Sequence, residues 1–386
     1  MEYIKRVLQI NEILKESSMF LFGPRMTGKT ALIENEINPE DTILSISFLN
    51  DETLIAFQQN PILLRSMLKG KKDGVAIIDE VQLFPTILKD VQHIIGHSDI
   101  HFLLTGSSYR RLRKNQSNFL GGRAGIISLH PFVWPEIKHT EPTLEKIFES
   151  GLLPKFFLSE NCSILERNYV QGYLKEEIGN ESLVRNLSAF SNFLVFASSE
   201  NTEILNFSNI SRDIGISADS IKGWYQILVD TFLGYYLDPY RKGSKRIPVN
   251  TSKFYFFDVG IARVAARMPV PADTMTEFGK LFENYIFTEL RAFIDYNLLD
   301  DELFFWRTRD GYEVDFVIDG KVAIEVKTTK NITNKDLKGL REFKKENAVK
   351  NYIVVAREVF EWTTDDGIKI IPWKIFLDKL WTREIL

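Results

Sequence analysis

Cysteine is nearly absent: Cys162 stands alone in 386 residues. That excludes an intramolecular disulfide framework and any cysteine-ligated metal cluster. Histidine is scarce too. Five scattered residues do not favour a structural zinc site. No apolar run approaches the ~20 residues needed to span a bilayer. The opening Met1-Glu2-Tyr3-Ile4-Lys5-Arg6 carries no apolar signal core. The expectation is a soluble, cytoplasmic protein with no membrane partner. An excess of positive charge is also missing, since 48 Lys and Arg face 52 Asp and Glu, net −4. A globally basic nucleic-acid binder is therefore excluded, and only local basic patches could meet DNA. What is present is a 44% apolar chain, long enough for two or three domains of about 150 residues each.

The most informative stretch is Phe20-Leu21-Phe22-Gly23-Pro24-Arg25-Met26-Thr27-Gly28-Lys29-Thr30. It reads as a buried strand, a glycine-bounded loop and a helix start, and Gly23, Gly28, Lys29 and Thr30 complete the G-x-x-x-x-G-K-[ST] phosphate-loop pattern. Glycine admits backbone torsions that a Cβ forbids. Successive N–H groups can then face phosphate oxygens at a helix N-terminus. ATP is the expected ligand, surrounded by Gly23, Pro24, Arg25, Met26, Thr27, Gly28, Lys29 and Thr30. Lys29 would reach the β- and γ-phosphates, and Thr30 would hold Mg²⁺.

Residues 5–18 have helical spacing, and Thr42 to Phe48 reads as a strand. Gly74 to Glu80 is apolar on both faces, as a central parallel strand should be, and ends in two acids. A parallel sheet offers its ligand site at the carboxyl ends of its strands. Asp79 is thus expected at the Mg²⁺ and Glu80 at the attacking water. Ile100 to Ser108 is a further buried strand. At its polar end Thr105 and Ser107 are candidates for sensing the γ-phosphate, or equally for capping the next helix. A basic cluster follows at Arg110, Arg111, Arg113 and Lys114. Arg123 lies between Gly122 and Gly125, where it could approach phosphate or nucleic acid, or pair with a carboxylate.

Residues 144–200 are mainly helical by periodicity. Phe207 to Ile214, a turn at Gly215-Ile216-Ser217 and Asp219 to Val229 have helix–turn–helix spacing. Tyr235 to Leu237 and a strand after Ile247 would be wing strands, with Tyr240 to Arg246 as the wing tip. Such a tip could meet DNA phosphates, or the unit could serve protein packing alone. The last third holds a helix, Phe278 to Phe293, carrying Glu283. Three strands follow, Leu303 to Arg307, Glu313 to Ile318 and Val322 to Lys327. Asp315 shares a strand face with Glu313, and Glu325 shares one with Lys327. If the strands are neighbours, Asp315, Glu325 and Lys327 meet. Two hard carboxylates suit Mg²⁺, Glu283 could add a ligand, and a metal with a lysine suits phosphodiester hydrolysis. Surface salt bridging is the competing account. Charge embedded in apolar strands is costly unless used.

In this order the motifs resemble the prokaryotic AAA-type predicted ATPases whose C-terminal part is a domain of unknown function. The matching stretches are Gly23–Thr30, Ile77–Gln82, Leu104–Ser107, Leu120–Arg123, the helix–turn–helix ending at Leu233, Phe254–Ala262, Phe282-Glu283-Asn284, and Trp306 through Lys327. The resemblance implies an α/β multidomain protein. Its parts would be a P-loop NTPase domain of AAA type over 1–135, a helical lid over 136–203, a winged helix over 204–250 and a restriction-endonuclease-like domain over 251–386. Asp315, Glu325 and Lys327 match the nuclease pattern Asp…Glu-x-Lys, although Val314 stands where proline is frequent. In AAA-type enzymes an arginine such as Arg123 often comes from a neighbouring subunit, which implies a homo-oligomer. The expected function is ATP hydrolysis coupled to DNA, with a Mg²⁺-dependent nuclease domain. The alternative is an ATP-controlled interaction switch with a non-cleaving scaffold. A small-molecule kinase is disfavoured, because the Asp79-Glu80 pair suits water activation.

Overall fold

The computed structural model describes residues 3–108, 120–173, 186–241, 251–318, 320–346 and 349–386. They divide into two compact units, Met1–Phe132 with Asp230–Phe232, and Val133–Val229 with Leu233–Leu386.

In the first unit, the apolar segments around the phosphate loop form a five-stranded parallel sheet in the order β2-β3-β4-β1-β5. The strands are β1 (Ser18–Phe22), β2 (Thr42–Ser47), β3 (Asp73–Asp79), β4 (Asp99–Gly106) and β5 (Ala124–Ser128). All pairings are parallel. Every residue of β1 is buried, as expected for a strand covered on both faces. Phe20, Phe22, Ile78, Phe102 and Leu104 share one core cluster. Each such buried side chain contributes roughly 1.5–3 kcal/mol relative to exposure. Phe232 belongs to the same cluster and stacks on Phe22 at 5.7 Å between centroids. The helix expected over 5–18 is shorter, Ile10–Glu16. Arg6 precedes it as a buried side chain.

The second unit begins with the helices Trp134–Ile137, Leu144–Ser150, Pro154–Phe157, Cys162–Asn168 and Leu187–Ser199. The helices Phe207–Ile214 and Ala218–Asp230 follow. Between them Gly215 turns at φ +73, a conformation that favours glycine. An eight-stranded mixed sheet runs β12-β13-β11-β10-β9-β8-β6-β7. Its strands are β6 (Gly234–Pro239), β7 (Lys253–Phe256), β8 (Leu303–Arg307), β9 (Glu313–Ile318), β10 (Val322–Lys327), β11 (Asn351–Ala356), β12 (Trp362–Thr363) and β13 (Lys369–Pro372). The two strands read as a wing are β6 and β7, which pair antiparallel. β6 also pairs with β8 in parallel, so this hairpin and the C-terminal strands share one sheet. A division at residue 250 therefore runs through a continuous sheet. Lys242 to Asn250, most of the expected wing tip, lie outside the described residues, as do Arg110, Arg111, Arg113 and Lys114. Among the described residues no helix is long and apolar enough to cross a membrane.

Candidate functional site

Two sites emerge, one in each unit. The first lies at the carboxyl ends of β1, β3 and β4. Gly23 leaves β1 at φ +155, and a Cβ there would lie 2.5 Å from the Leu129 carbonyl oxygen, so only glycine fits. Gly28, at φ +94, caps the helix Lys29–Glu36. Met26 adopts φ +68 without being glycine, the kind of strain found where a backbone is held for a ligand. The Lys29 ammonium is buried. It donates to the carbonyl oxygens of Gly23 at 2.7 Å and Pro24 at 3.0 Å. Thr27 Oγ1 also donates to the Pro24 oxygen, at 2.9 Å. Arg25, Met26 and Thr30 are exposed. The loop is clamped from outside the motif. Arg6 donates to the carbonyl oxygens of Thr27 at 2.8 Å and His130 at 2.7 Å, with its guanidinium 5.3 Å from the centre of the Phe132 ring.

Both oxygens of Asp79 are held by the flanking strands. Oδ2 accepts from Ser47 Oγ on β2 at 2.9 Å, and Oδ1 accepts from Thr105 Oγ1 on β4 at 2.5 Å. Thr105 Oγ1 also accepts from the Glu80 N–H at 3.1 Å. Of the two sensor candidates, Thr105 is thus fully buried and directed at the acidic pair. Ser107 Oγ lies 3.4 Å from a Glu80 carboxylate oxygen. Glu80 sits in the left-handed region at φ +56, ψ +47, which costs roughly 1–3 kcal/mol for a residue with a Cβ. Gln82 Nε2 donates to the Glu80 carboxylate. Arg123 is exposed, in the turn before β5. A threonine hydroxyl, a carboxylate and a glycine-built cradle suit a nucleotide phosphate with a hard divalent cation. Arg6, Ser47 and Gln82 escaped the motif reading. Gln82 had the signal of lying two residues past Glu80, whereas Arg6 and Ser47 carried none.

The second site lies on the sheet of the second unit. β9 and β10 pair antiparallel, with Ile324 opposite Phe316. The next step of that register sets Glu325 across from Asp315, so both side chains share a face. Asp315 Oδ2 accepts from the Val326 N–H at 2.7 Å, and Glu325 Oε1 accepts from Lys327 Nζ at 2.5 Å. Glu325 Oε2 is buried and has no hydrogen-bond partner. Burial, reinforced by Asp315, pushes the Glu325 carboxyl well above the usual range, and burial also raises Asp315. An orphaned oxygen beside a second carboxylate fits one hard cation such as Mg²⁺. Glu283 does not complete a cluster of three. Its Oε1 accepts from Lys253 Nζ at 2.9 Å and Tyr255 Oη at 2.5 Å. Burial pushes Glu283 up to about 7 against the pull of Lys253. Lys253 also pairs with Glu313 at 2.5 Å. Among the described residues no group of three or more His, Cys, Asp or Glu is arranged to hold a metal ion.

Lys253 and Tyr255 reach this face because they alternate on β7. Tyr255 stacks on Phe287 at 4.2 Å. The Asn201–Asn284 pair anchors the strand by bonding the Phe256 backbone on both its N–H and C=O. The open cavity over the face is about 780 Å³. Lys253, Lys280, Glu283, Asp315, Glu325 and Lys327 are among its lining residues. Lys253, Tyr255 and Glu313 were not singled out as site residues, because their convergence depends on sheet order.

Residues 15–138 match a family model described as an AAA domain. Residues 143–271 and 278–376 match two models described only as domains of unknown function, DUF8612 and DUF4143. Residues 15–138 are thus similar to an AAA domain, within a chain of mixed α/β fold. No curated protein matches the sequence significantly. Among solved structures, the Aeropyrum pernix ORC1 protein in complex with DNA is similar at 12% identity and a TM-score of 0.32, over 69% of this chain and 93% of that one. The ADP form of the Aeropyrum pernix ORC2 protein follows at 14% identity and 0.30, over 68% and 88%. A Pyrococcus horikoshii signal transduction ATPase with a tetratricopeptide repeat sensor shows 14% identity and 0.24, over 77% and 48%.

Proposed function

We propose that the protein hydrolyses ATP in its first unit and acts on DNA through the carboxylate face of its second. The observation that supports the ATPase reading is the convergence of three strand ends. β4 lies between β1 and β3, so Thr105 and Ser107 stand between the phosphate loop and the Asp79-Glu80 pair. Gly23 through Thr30 would cradle the phosphates, and Thr30 with Asp79 would hold Mg²⁺. The bound ion would neutralise phosphate charge as the terminal group leaves. Lys29 would exchange its carbonyl partners for phosphate oxygens. Glu80 would accept the proton of the attacking water. Arg123, from a neighbouring copy, would add a second cation beside Lys29.

At the second site Asp315 and Glu325 would hold one divalent cation, and Lys327 would steady charge on a phosphodiester. A second reading rests on one observation. Lys253 and Lys327 already neutralise Glu283 and Glu325, as they would in a non-cleaving scaffold switched by ATP. One preparation tests both readings. ATP hydrolysis and Mg²⁺-dependent DNA cleavage are measured with and without the other substrate, in wild type and Lys29→Ala. Turnover of ATP with no cleavage and no DNA binding would leave the scaffold; no turnover of ATP would remove the ATPase assignment.

A further inference from the structure

We propose that Gln82 is the positioning residue for Glu80, a reading that rests on the ATP hydrolysis proposed above. Glu80 leaves β3 in the left-handed region, and the short turn Val81–Leu83 then brings Gln82 back over it. Both side chains are buried, at 7% and 5% exposure. Gln82 Nε2 donates to Glu80 Oε2 and lies 3.2 Å from Ser107 Oγ. One amide nitrogen therefore ties the carboxylate just past β3 to the hydroxyl just past β4.

The orientation of that amide follows from chemistry. An ionised carboxylate only accepts, so the amide must present its NH₂ group to Glu80. Its oxygen then points elsewhere. Gln82 Oε1 is buried and meets no hydrogen-bond donor. Buried polar atoms without partners are rare and call for a reason. Here the reason is the bond made at the other end of the same amide. A residue kept for packing alone would carry no orphaned oxygen. The space for that oxygen is also built. A Cβ at Gly106 would lie 2.7 Å from Gln82 Oε1, so the last residue of β4 must be the smallest for the amide to lie where it does. A base that loses its fixed position loses turnover, while the phosphate contacts of residues 23–30 are untouched.

The test is steady-state ATPase kinetics and nucleotide affinity on the full chain, with Lys29→Ala as the control for the site. Gln82→Met keeps the volume and removes the amide. Its kcat should fall about 10- to 100-fold, a part of the ~10²–10⁴-fold that a positioned general base contributes, with ATP affinity within about twofold of wild type. Gln82→Asn, which keeps an amide on a shorter stem, should recover part of the loss. Gly106→Ala should lower kcat by displacing the Gln82 amide. In the double variant with Gln82→Met the two losses should not add, because both act through one contact. Wild-type kcat in Gln82→Met would overturn the assignment, as would a parallel fall of kcat, affinity and Tm, which marks packing. If wild type itself fails to hydrolyse ATP, the ATPase reading falls and this one with it. A hydrolysing wild type that Lys29→Ala silences, beside an unaffected Gln82→Met, would overturn the Gln82 proposal alone.

Discussion

Single side chains in the first unit divide between holding nucleotide and turning it over. Lys29 is the buried cation of the phosphate loop, its ammonium resting on the Gly23 and Pro24 carbonyls. A hydrogen bond to a charged group is worth about 1.5–3 kcal/mol. Lys29→Ala should therefore weaken ATP binding roughly ten- to hundredfold, read by titration with a fluorescent analogue. Glu80→Gln keeps the shape, so nucleotide affinity should stay within about twofold while phosphate release stops; equal hydrolysis in wild type and variant would remove Glu80 from its role. Another single residue sets a pH dependence. Glu289 is buried on the helix Thr276–Tyr296 of the second unit. It accepts from the Trp134 N–H at 2.8 Å and Trp381 Nε1 at 2.7 Å. Burial pushes it up to about 8, against the pull of those donors. The folded state holds this proton more tightly than the unfolded chain. Its contribution is complete below the ordinary value of 4.5 and is lost as pH climbs through about 8, by up to ~1.4 kcal/mol per pH unit. Glu289→Gln should lower stability by about 1 kcal/mol or more, because one amide oxygen faces two donors. It should also flatten the decline in Tm over that interval, and an unchanged slope would assign the decline to another group.

At the level of elements, the second site is a property of strand pairing. β9 and β10 were expected with the bounds they have, and their antiparallel register carries Asp315 to Glu325. Two carboxylates pushed up by burial repel one another when ionised. Asp315→Ala removes that repulsion and leaves the Val326 N–H without its acceptor. The two effects oppose, so Tm should move by only a few degrees, about 1 kcal/mol either way. Mg²⁺-dependent cleavage should fall by about 10²-fold or more. Cleavage that survives in this variant would place the activity elsewhere. Glu283 shows what strand identity alone could not convey. It was expected as a metal ligand from its place on a helix before the strands. Lys253 and Tyr255, from a strand far earlier in sequence, meet it instead.

For the whole molecule the open matter is assembly. Arg123 is exposed in the turn before β5, at the amino end of that strand, whereas the phosphate loop leaves the carboxyl end of the parallel neighbour β1. A second copy could receive it. An arginine added to a phosphoryl-transfer site raises turnover by ~10³-fold or more, so Arg123→Ala should bind ATP normally and hydrolyse it about 10³-fold more slowly. Mixing Arg123→Ala with Lys29→Ala should restore part of the rate, because some interfaces would pair an intact loop with an intact arginine. No restoration in a mixture shown to exchange subunits would confine Arg123 to its own chain.

The parts legible in the sequence are those governed by neighbours along the chain. Residues 20–30 predict strand, loop and helix because glycine torsions and the helix start are local. The ends of β8, β9 and β10 follow from alternation between polar and apolar positions, also local. What only the tertiary structure decided are contacts that close over long separations. Arg6 reaches the His130 carbonyl across 124 positions. β6 pairs with β8, which merges the hairpin with the C-terminal strands. Thr105 turns to Asp79 and Glu80 because β4 lies beside β3. Lys253 finds Glu283 and Glu313 because β7 and a helix converge on one sheet face. A charged side chain within an apolar strand shows that a partner is needed, since unpaired burial is costly. Which partner it finds is set by sheet order, and sheet order depends on how the apolar faces of distant segments pack together.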